Sequence, residues 1–134
     1  MIAVDTSALI AILRSEVEAD AFLRVLAADD ATCMSAVSLH EASMVIAGRN
    51  RDASCWEDLD RLIREFQIDV VPLDRALAEI ARAAFLRFGK GRHPARLNCG
   101  DCAAYALAKF RRIPLLFKGG DFARTNITAA VPAA

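Results

Sequence analysis

Four carboxylates, Asp5, Glu41, Asp101 and Asp121, are the residues of this chain best placed to do chemistry. Asp5 is the only charged residue from Met1 to Leu13, and Glu41 the only one from Ala31 to Gly48, setting aside the neutral His40. Asp101 is the only one from Leu97 to Ala108. Surface acids come mixed with Lys and Arg on a solvated face, and these three do not. An ionised carboxylate in apolar surroundings is retained only with a counter-charge or a metal, and no Lys or Arg is locally available to them. A shared divalent cation would serve all three. Oxygen donors without His or Cys select Mg2+ or Mn2+. One or two such ions, the latter roughly 3.5–4 Å apart, polarise a phosphodiester and lower the pKa of an attacking water. The expected chemistry is hydrolysis of a nucleic-acid backbone.

Each acid also has an ordinary role open to it. Asp5 can cap the helix that follows. Asp101, three residues after Asn98, fits a capping box. Glu41, four residues from both Val37 and Val45, can be a polar group on an apolar helical stripe. Asp121, after Gly119 and Gly120, suits a turn. Singly these roles suffice; they leave the joint placement of the four acids unexplained.

The elements that must position the acids alternate between strand and helix. Ile2 to Val4 reads as a strand, followed by a helix from about Thr6 to Leu13. Ser15 is the expected N-cap of a second helix, with Glu16 and Glu18 in its first turn and Asp29-Asp30 closing it. Thr32 to Met34 is a strand, and Ser35 caps a helix ending at Gly48. Asp52 to Gln67 reads as one amphipathic helix and Ile68 to Leu73 as a strand. Asp74 then caps a helix to about Phe88, Gly89 to Leu97 is a loop, and Asn98 caps a helix to about Phe110. Pro114 to Phe117 and Ile127 to Val131 complete the strands. Strands separated by helices pair in parallel through right-handed crossovers, so a three-layer α/β/α sandwich is expected, as one domain spanning residues 1–134. Sites in such folds lie beyond the carboxyl ends of the strands, where the strand order reverses. Asp5 follows the first strand; Lys118, Gly119, Gly120 and Asp121 follow the fourth.

Composition is that of a globular protein, with 55% apolar and 25% charged residues and zero formal net charge. Any phosphate-binding surface must therefore be local. No apolar run approaches the ~18 residues that cross a bilayer, and the amino terminus lacks the basic segment of a signal peptide. The expected location is the cytoplasm. Cys33, Cys55, Cys99 and Cys102 lack structural zinc spacing. The single C-x-x-C of Cys99 and Cys102 reads as two small apolar residues on a helix rather than a redox pair.

Val4-Asp5-Thr6-Ser7-Ala8-Leu9, the lone Glu41, the stretch from Leu97 to Ala106 around Asp101, and Lys118-Gly119-Gly120-Asp121-Phe122 with Thr125 together resemble PIN domains. The match is nearest to the VapC-type toxins of bacterial toxin–antitoxin pairs, and it covers essentially the whole chain. The resemblance implies a sheet of order 3-2-1-4-5 and Mg2+- or Mn2+-dependent endoribonuclease activity. It implies that Asp5, Glu41 and Asp101 hold the principal metal and that Asp121 completes the pocket. Thr6, Ser7 and Thr125 match hydroxyl positions expected to support the acids through hydrogen bonds. An acid often follows the last threonine in this family; here Asn126 stands there, which weakens the case for a second metal. The resemblance further implies a homodimer and a small VapB-like antitoxin whose tail enters the active-site groove, and no membrane partner.

From Ile80 to Gly100 there is no acid, while Arg82, Arg87, Lys90, Arg92 and Arg96 are basic. Lys90, Arg92 and Arg96 crowd a Gly/Pro loop just before Asp101, and a flexible basic loop there suits RNA phosphates. Lys118 is a further candidate phosphate contact. The apolar helices Ala8 to Leu13 and Val37 to Ala47 offer surface for an antitoxin, though core packing would also account for them. Other phosphate-handling α/β folds fit poorly: a haloacid-dehalogenase site wants an acid where Ser7 stands, and a dinucleotide fold wants glycines after the first strand. The alternative function is a catalytically silent PIN module that binds RNA or protein.

Overall fold

In the computed structural model, which describes residues 1–131, a short strand β1 (Ile2–Val4) serves both faces of the sheet. Side chains leave a strand on alternate sides, so Ile2 and Val4 enter one apolar cluster and Ala3 the other. The same alternation sorts Met34 from Cys33 on β2 (Thr32–Ser35), Val70 from Val71 on β3 (Asp69–Val71), and Leu116 from Leu115 on β4 (Leu115–Leu116). The strands pair in parallel in the order β3-β2-β1-β4, with Ala3 level with Cys33 on one side and Leu115 on the other.

Helices α1 (Thr6–Leu13), α2 (Ala19–Ala28) and α4 (Glu57–Glu65) cover the face of Ile2 and Val4, burying Leu9, Phe22, Leu26, Leu59 and Leu62. Helices α5 (Arg75–Phe88) and α6 (Cys99–Arg111) cover the other with Leu77, Phe88 and Leu107. Helix α3 (Ala36–Ala47) packs against both α1 and α6. The architecture is the expected α/β/α sandwich, and its order reverses between β1 and β4. The caps at Ser35, Asp74 and Asn98 are present, each side chain accepting a backbone N–H of its helix. No helix among the described residues is long and apolar enough to cross a membrane.

Four expectations are corrected. The fifth strand shrinks to one parallel bridge between Leu115 and Ala129, because the two-residue β4 offers only the N–H and C=O of Leu115 on that edge. Strand β3 stops at Val71, before Pro72, which has no N–H for a ladder. The helix expected from Asp52 to Gln67 is a 3-10 turn (Ala53–Trp56) followed by α4, with Trp56 Nε1 donating to the Ser43 carbonyl at 2.8 Å. Ser15 is not the N-cap of α2. It ends α1 in the left-handed region (φ 51°), with its N–H on the Ile12 carbonyl and that of Glu16 on the Ala11 carbonyl. That pair of bonds is a Schellman end, and it leaves Glu16 and Glu18 in a turn before α2 rather than inside it.

Candidate functional site

Asp5 leaves β1 at the point of order reversal and starts α1. Its Oδ2 accepts two hydrogen bonds from Ser7, from the N–H at 3.0 Å and from Oγ at 2.7 Å. Its Oδ1 is buried with no hydrogen-bond partner among the described residues. The ordinary capping role is thus real, yet it satisfies only one of two oxygens. The residue is 3% exposed. Burial pushes its carboxyl up to about 6, against the pull of the Ser7 bonds, and the charges of Asp101 and Glu41 push in the same direction.

Asp101 opens α6 in a full capping box: its N–H donates to Asn98 Oδ1 at 2.9 Å, and the Asn98 N–H donates to Asp101 Oδ2 at 3.0 Å. Burial raises its pKa, opposed by the bond from Asn98, and the charges of Glu41 and then Asp121 add to the rise. Asp5, Glu41 and Asp101 therefore lie in one another's field, and Asp121 acts on Asp101. The ion pairs among the described residues include none of them.

Glu41 is half-buried on α3, at the border of the core face, which is made of Ser38 and Ala42 rather than the expected Val37 and Val45 stripe. Val45 is exposed. Small residues let α3 approach its neighbours closely, and Glu41 meets the start of α6 at Gly100. Asp121 is exposed and begins a 3-10 turn (Phe122–Arg124) without a side-chain capping bond.

The expected supporting hydroxyls divide. Ser7 binds Asp5 and also accepts the Lys118 N–H at 3.0 Å. Thr6 turns away and donates to the Ser38 carbonyl at 3.1 Å, tying α1 to α3. Thr125 closes its own turn, donating to the Phe122 carbonyl at 2.7 Å and accepting from Ile127 N–H, with no acid in reach of those bonds. Asn126 accepts from the Tyr105 hydroxyl, so its side chain is committed to α6.

The basic residues divide as well. Lys118 is already paired: its ammonium lies 2.6 Å from Glu16 and 3.1 Å from Glu18, and the hydrogen bond to Glu16 leads in raising its pKa. It is not a free cation for a phosphate. Lys90, Arg92 and Arg96 are exposed. Their loop is held by several backbone hydrogen bonds. Leu97 N–H donates to the Phe88 carbonyl, Lys90 N–H to the Leu97 carbonyl and Ala95 N–H to His93 Nδ1. Arg124, three residues past Asp121, donates to the Pro94 carbonyl at 3.3 Å and joins the loop to the turn of that acid.

Sequence reasoning missed Gly100 as the seat of Glu41 and the Glu16–Glu18 pair as the partner of Lys118. A glycine inside a helix start, where it costs about 1 kcal/mol against Ala, was the available signal for the first. Nothing local marks the second, since those residues are 102 and 100 positions from Lys118.

This fold and site define a PIN domain: the family's profile matches residues 2–127, and the chain belongs to that family. Within it, the relatives are VapC proteins. Ribonuclease VapC28 of Mycobacterium tuberculosis is 47% identical over 129 residues, 96% of each chain. Ribonuclease VapC of Mycolicibacterium smegmatis is 42% identical over 126 residues, 94% of this chain and 97% of that one. Among solved structures, VapC20 of M. tuberculosis, a sarcin-ricin loop cleaving toxin, superposes with a TM-score of 0.74 over 98% of this chain and 100% of its own, at 18% identity. VapBC2 of Rickettsia felis, bound to a DNA fragment from its promoter, gives 0.74 over 96% of each chain at 14% identity. The two structural likenesses concern the fold alone.

Proposed function

We propose that this chain is a Mg2+- or Mn2+-dependent endoribonuclease and the toxin of a toxin–antitoxin pair, with Asp5, Glu41, Asp101 and Asp121 as its metal-holding acids. The observation that carries this reading is Asp5 itself. One oxygen is held twice by Ser7, and the other is buried and unpartnered among the described residues, in the field of two further carboxylates. A buried carboxylate so placed calls for a cation. The kinship to chains named ribonucleases supports RNA as the substrate.

The donor set fits a hard divalent ion, being all oxygen. The geometry fits in part: among the described residues no three His, Cys, Asp or Glu side chains are gathered closely enough to hold a metal as they stand. Asp5 is fixed by Ser7 and Asp101 by Asn98, so the adjustment falls to Glu41 and Asp121, which lie at the rim on rotatable side chains. When bound, the ion supplies Lewis-acid polarisation of the phosphodiester and a lowered pKa for a water. Asp5 and Asp101 each keep one oxygen committed to the protein and one available, which fixes the direction in which they present charge. Lys90, Arg92 and Arg96 bind backbone phosphates and align the strand without reading bases. The engagement of Asn126 by Tyr105 favours a single well-held ion.

The same reading gives the chain a homodimeric state and a VapB-like antitoxin, the latter supported by a neighbour solved as a toxin–antitoxin complex from Klebsiella pneumoniae. Helix α1 offers little surface for that partner, since Ala8, Leu9, Ile10 and Ala11 are core. Helix α3 offers more. Met44 and Val45 are exposed beside a cavity of about 400 Å3 lined by Leu39, His40, Met44 and Trp56.

The test is cleavage of a mixed RNA pool by purified protein with Mn2+, with EDTA, and with an Asp5→Asn variant. Cutting that requires Mn2+ and disappears in the variant is the expected result. A folded, antitoxin-free preparation that neither cuts RNA nor binds Mn2+ would sink the reading in favour of an RNA-binding or interaction module.

A further inference from the structure

The half-buried ion cluster of Lys118 with Glu16 and Glu18 lies outside the four acids, yet it is connected to one of them by an unbroken chain of bonds. The Lys118 ammonium meets Glu16 at 2.6 Å and Glu18 at 3.1 Å. The Lys118 backbone N–H donates to Ser7 Oγ at 3.0 Å, and Ser7 Oγ donates to Asp5 Oδ2 at 2.7 Å. We infer that Lys118 is a positioning residue for Asp5, clamped by Glu16 and Glu18 so that its backbone N–H dictates which way the Ser7 hydroxyl points. The inference rests on the nuclease reading only for its consequence in metal binding and cleavage.

The direction of the chain follows from donor arithmetic. A backbone N–H can only donate, so Ser7 Oγ must accept from Lys118, and its single proton goes to Asp5. With the Ser7 N–H added, Oδ2 is filled and Oδ1 is left as the free oxygen. Without the Lys118 N–H, the Ser7 hydroxyl regains rotational choice and Asp5 loses its fixed partner.

The clamp is needed because of where Lys118 sits. It lies between β4 and Gly119-Gly120, with Gly119 in the left-handed region at φ 100°. On that side the glycine neighbours restrain the chain little, so the side-chain contacts of Lys118 add to the hold that β4 gives its backbone from the other side, where Asp5 N–H donates to the Leu116 carbonyl at 2.9 Å. The two glutamates are held in turn. The Schellman end of α1 at Ser15 fixes the chain at Glu16, and Ala19 N–H donates to the Glu16 carbonyl at 2.9 Å. Both ends of α1 are therefore tied to the segment that leaves β4, one through Ser7 and one through the glutamates.

Two roles for Lys118 make opposite predictions. As a phosphate ligand it would be freed by Glu16→Gln/Glu18→Gln, which would tighten RNA binding, and Lys118→Met would raise KM for RNA and leave metal affinity alone. As a positioning residue it fails in the same way in both variants. The experiment is amide hydrogen exchange by NMR on the full chain without metal or RNA, for wild type, Lys118→Met, Lys118→Arg and Glu16→Gln/Glu18→Gln, followed by Mn2+ titration and RNA cleavage. The expected result is at least about tenfold faster exchange at the position 118 and Ser7 amides in Lys118→Met and in the glutamine pair, with core amides unchanged. Weaker Mn2+ binding with an unaltered KM for RNA should accompany it, and Lys118→Arg, which can still reach both glutamates, should restore both. Unchanged exchange at these two amides in a folded variant overturns the inference, as does a gain in RNA affinity in the glutamine pair. If exchange responds as expected and wild type neither cuts RNA nor binds Mn2+, the nuclease reading falls and the clamp stands.

Discussion

The carboxylate of Glu41 rests against the bare Cα of Gly100: a Cβ at that glycine would lie 2.7 Å from both Cδ and Oε1 of Glu41. The contact joins α3 to the first turn of α6, next to Asp101, and makes the absence of a side chain at position 100 part of the site. Gly100→Ala should displace the end of a flexible side chain rather than backbone, so the fold should survive. Ala is favoured over Gly in a helix by about 1 kcal/mol, which sets the expected effect on stability near zero or slightly favourable. RNA cleavage should fall by about tenfold or more, the scale of a misplaced supporting group around a metal. Thermal melting and a cleavage assay on the same preparation check this; full activity in the variant would mean that the seat of Glu41 is incidental.

Asp5 carries a stability cost whose sign is set by its raised pKa. A carboxyl at about 6 in the folded chain against an ordinary 3.8 favours folding while protonated, and that contribution is lost as pH rises from about 4 through 6. Asp5→Asn removes the buried charge and keeps an oxygen for the Ser7 donors. At pH 7.5 and without metal the variant should be more stable than wild type by on the order of 3 kcal/mol, and the difference should close near pH 4. Urea unfolding at the two pH values measures it. The variant should be inactive at both.

The basic loop should act on RNA through charge alone. Replacing Lys90, Arg92 and Arg96 together by Ala in an Asp5→Asn background should weaken RNA binding at 0.1 M salt by roughly tenfold or more. Each lost phosphate contact should reduce the slope of log K against log salt by about 0.7. Cleavage positions should not move when the triple change is made with Asp5 intact. Fluorescence anisotropy over a salt series decides the first point, and end-mapping of products the second.

Gln67 ends α4 at φ 51°, with its N–H on the Arg64 carbonyl and that of Ile68 on the Ile63 carbonyl. Residues with a Cβ pay about 1–2 kcal/mol in this region, partly offset by the greater freedom of glycine in the unfolded chain. Gln67→Gly should stabilise the protein by about 0.5 kcal/mol without altering activity, measurable as a higher urea midpoint at constant slope.

The legible parts of the fold and the illegible ones differ for physical reasons. Isolation in charge-free stretches singled out Asp5, Glu41 and Asp101 because a lone acid among apolar residues demands a partner, and the structure brings their charges into one field. Caps at Ser35, Asp74 and Asn98 were legible because a short polar side chain before an apolar helix has one local use. Helix ends on non-glycine residues were not. Ser15, Gln67 and Arg112 all take φ near 50°, and nothing in their types announces it. Thr6 and Thr125 match the motif in type, but a hydroxyl has several acceptors within reach and each chose a nearby carbonyl. Lys118 read as free because its glutamate partners belong to a turn that only the closed sheet brings alongside.

The bonds that fasten the loop from Gly89 to Leu97 bear on the thermodynamics of any polyanion it meets. Its backbone is already arranged through His93, the carbonyls of Phe88, Gly89 and Leu97, and the Arg124 donor on Pro94. Ordering a segment on binding consumes part of the interaction free energy, and here much of the backbone is bonded within the chain before any ligand binds. Association through this loop should therefore carry a small entropic penalty and a small change in heat capacity, the signature of a docking platform assembled before its ligand arrives.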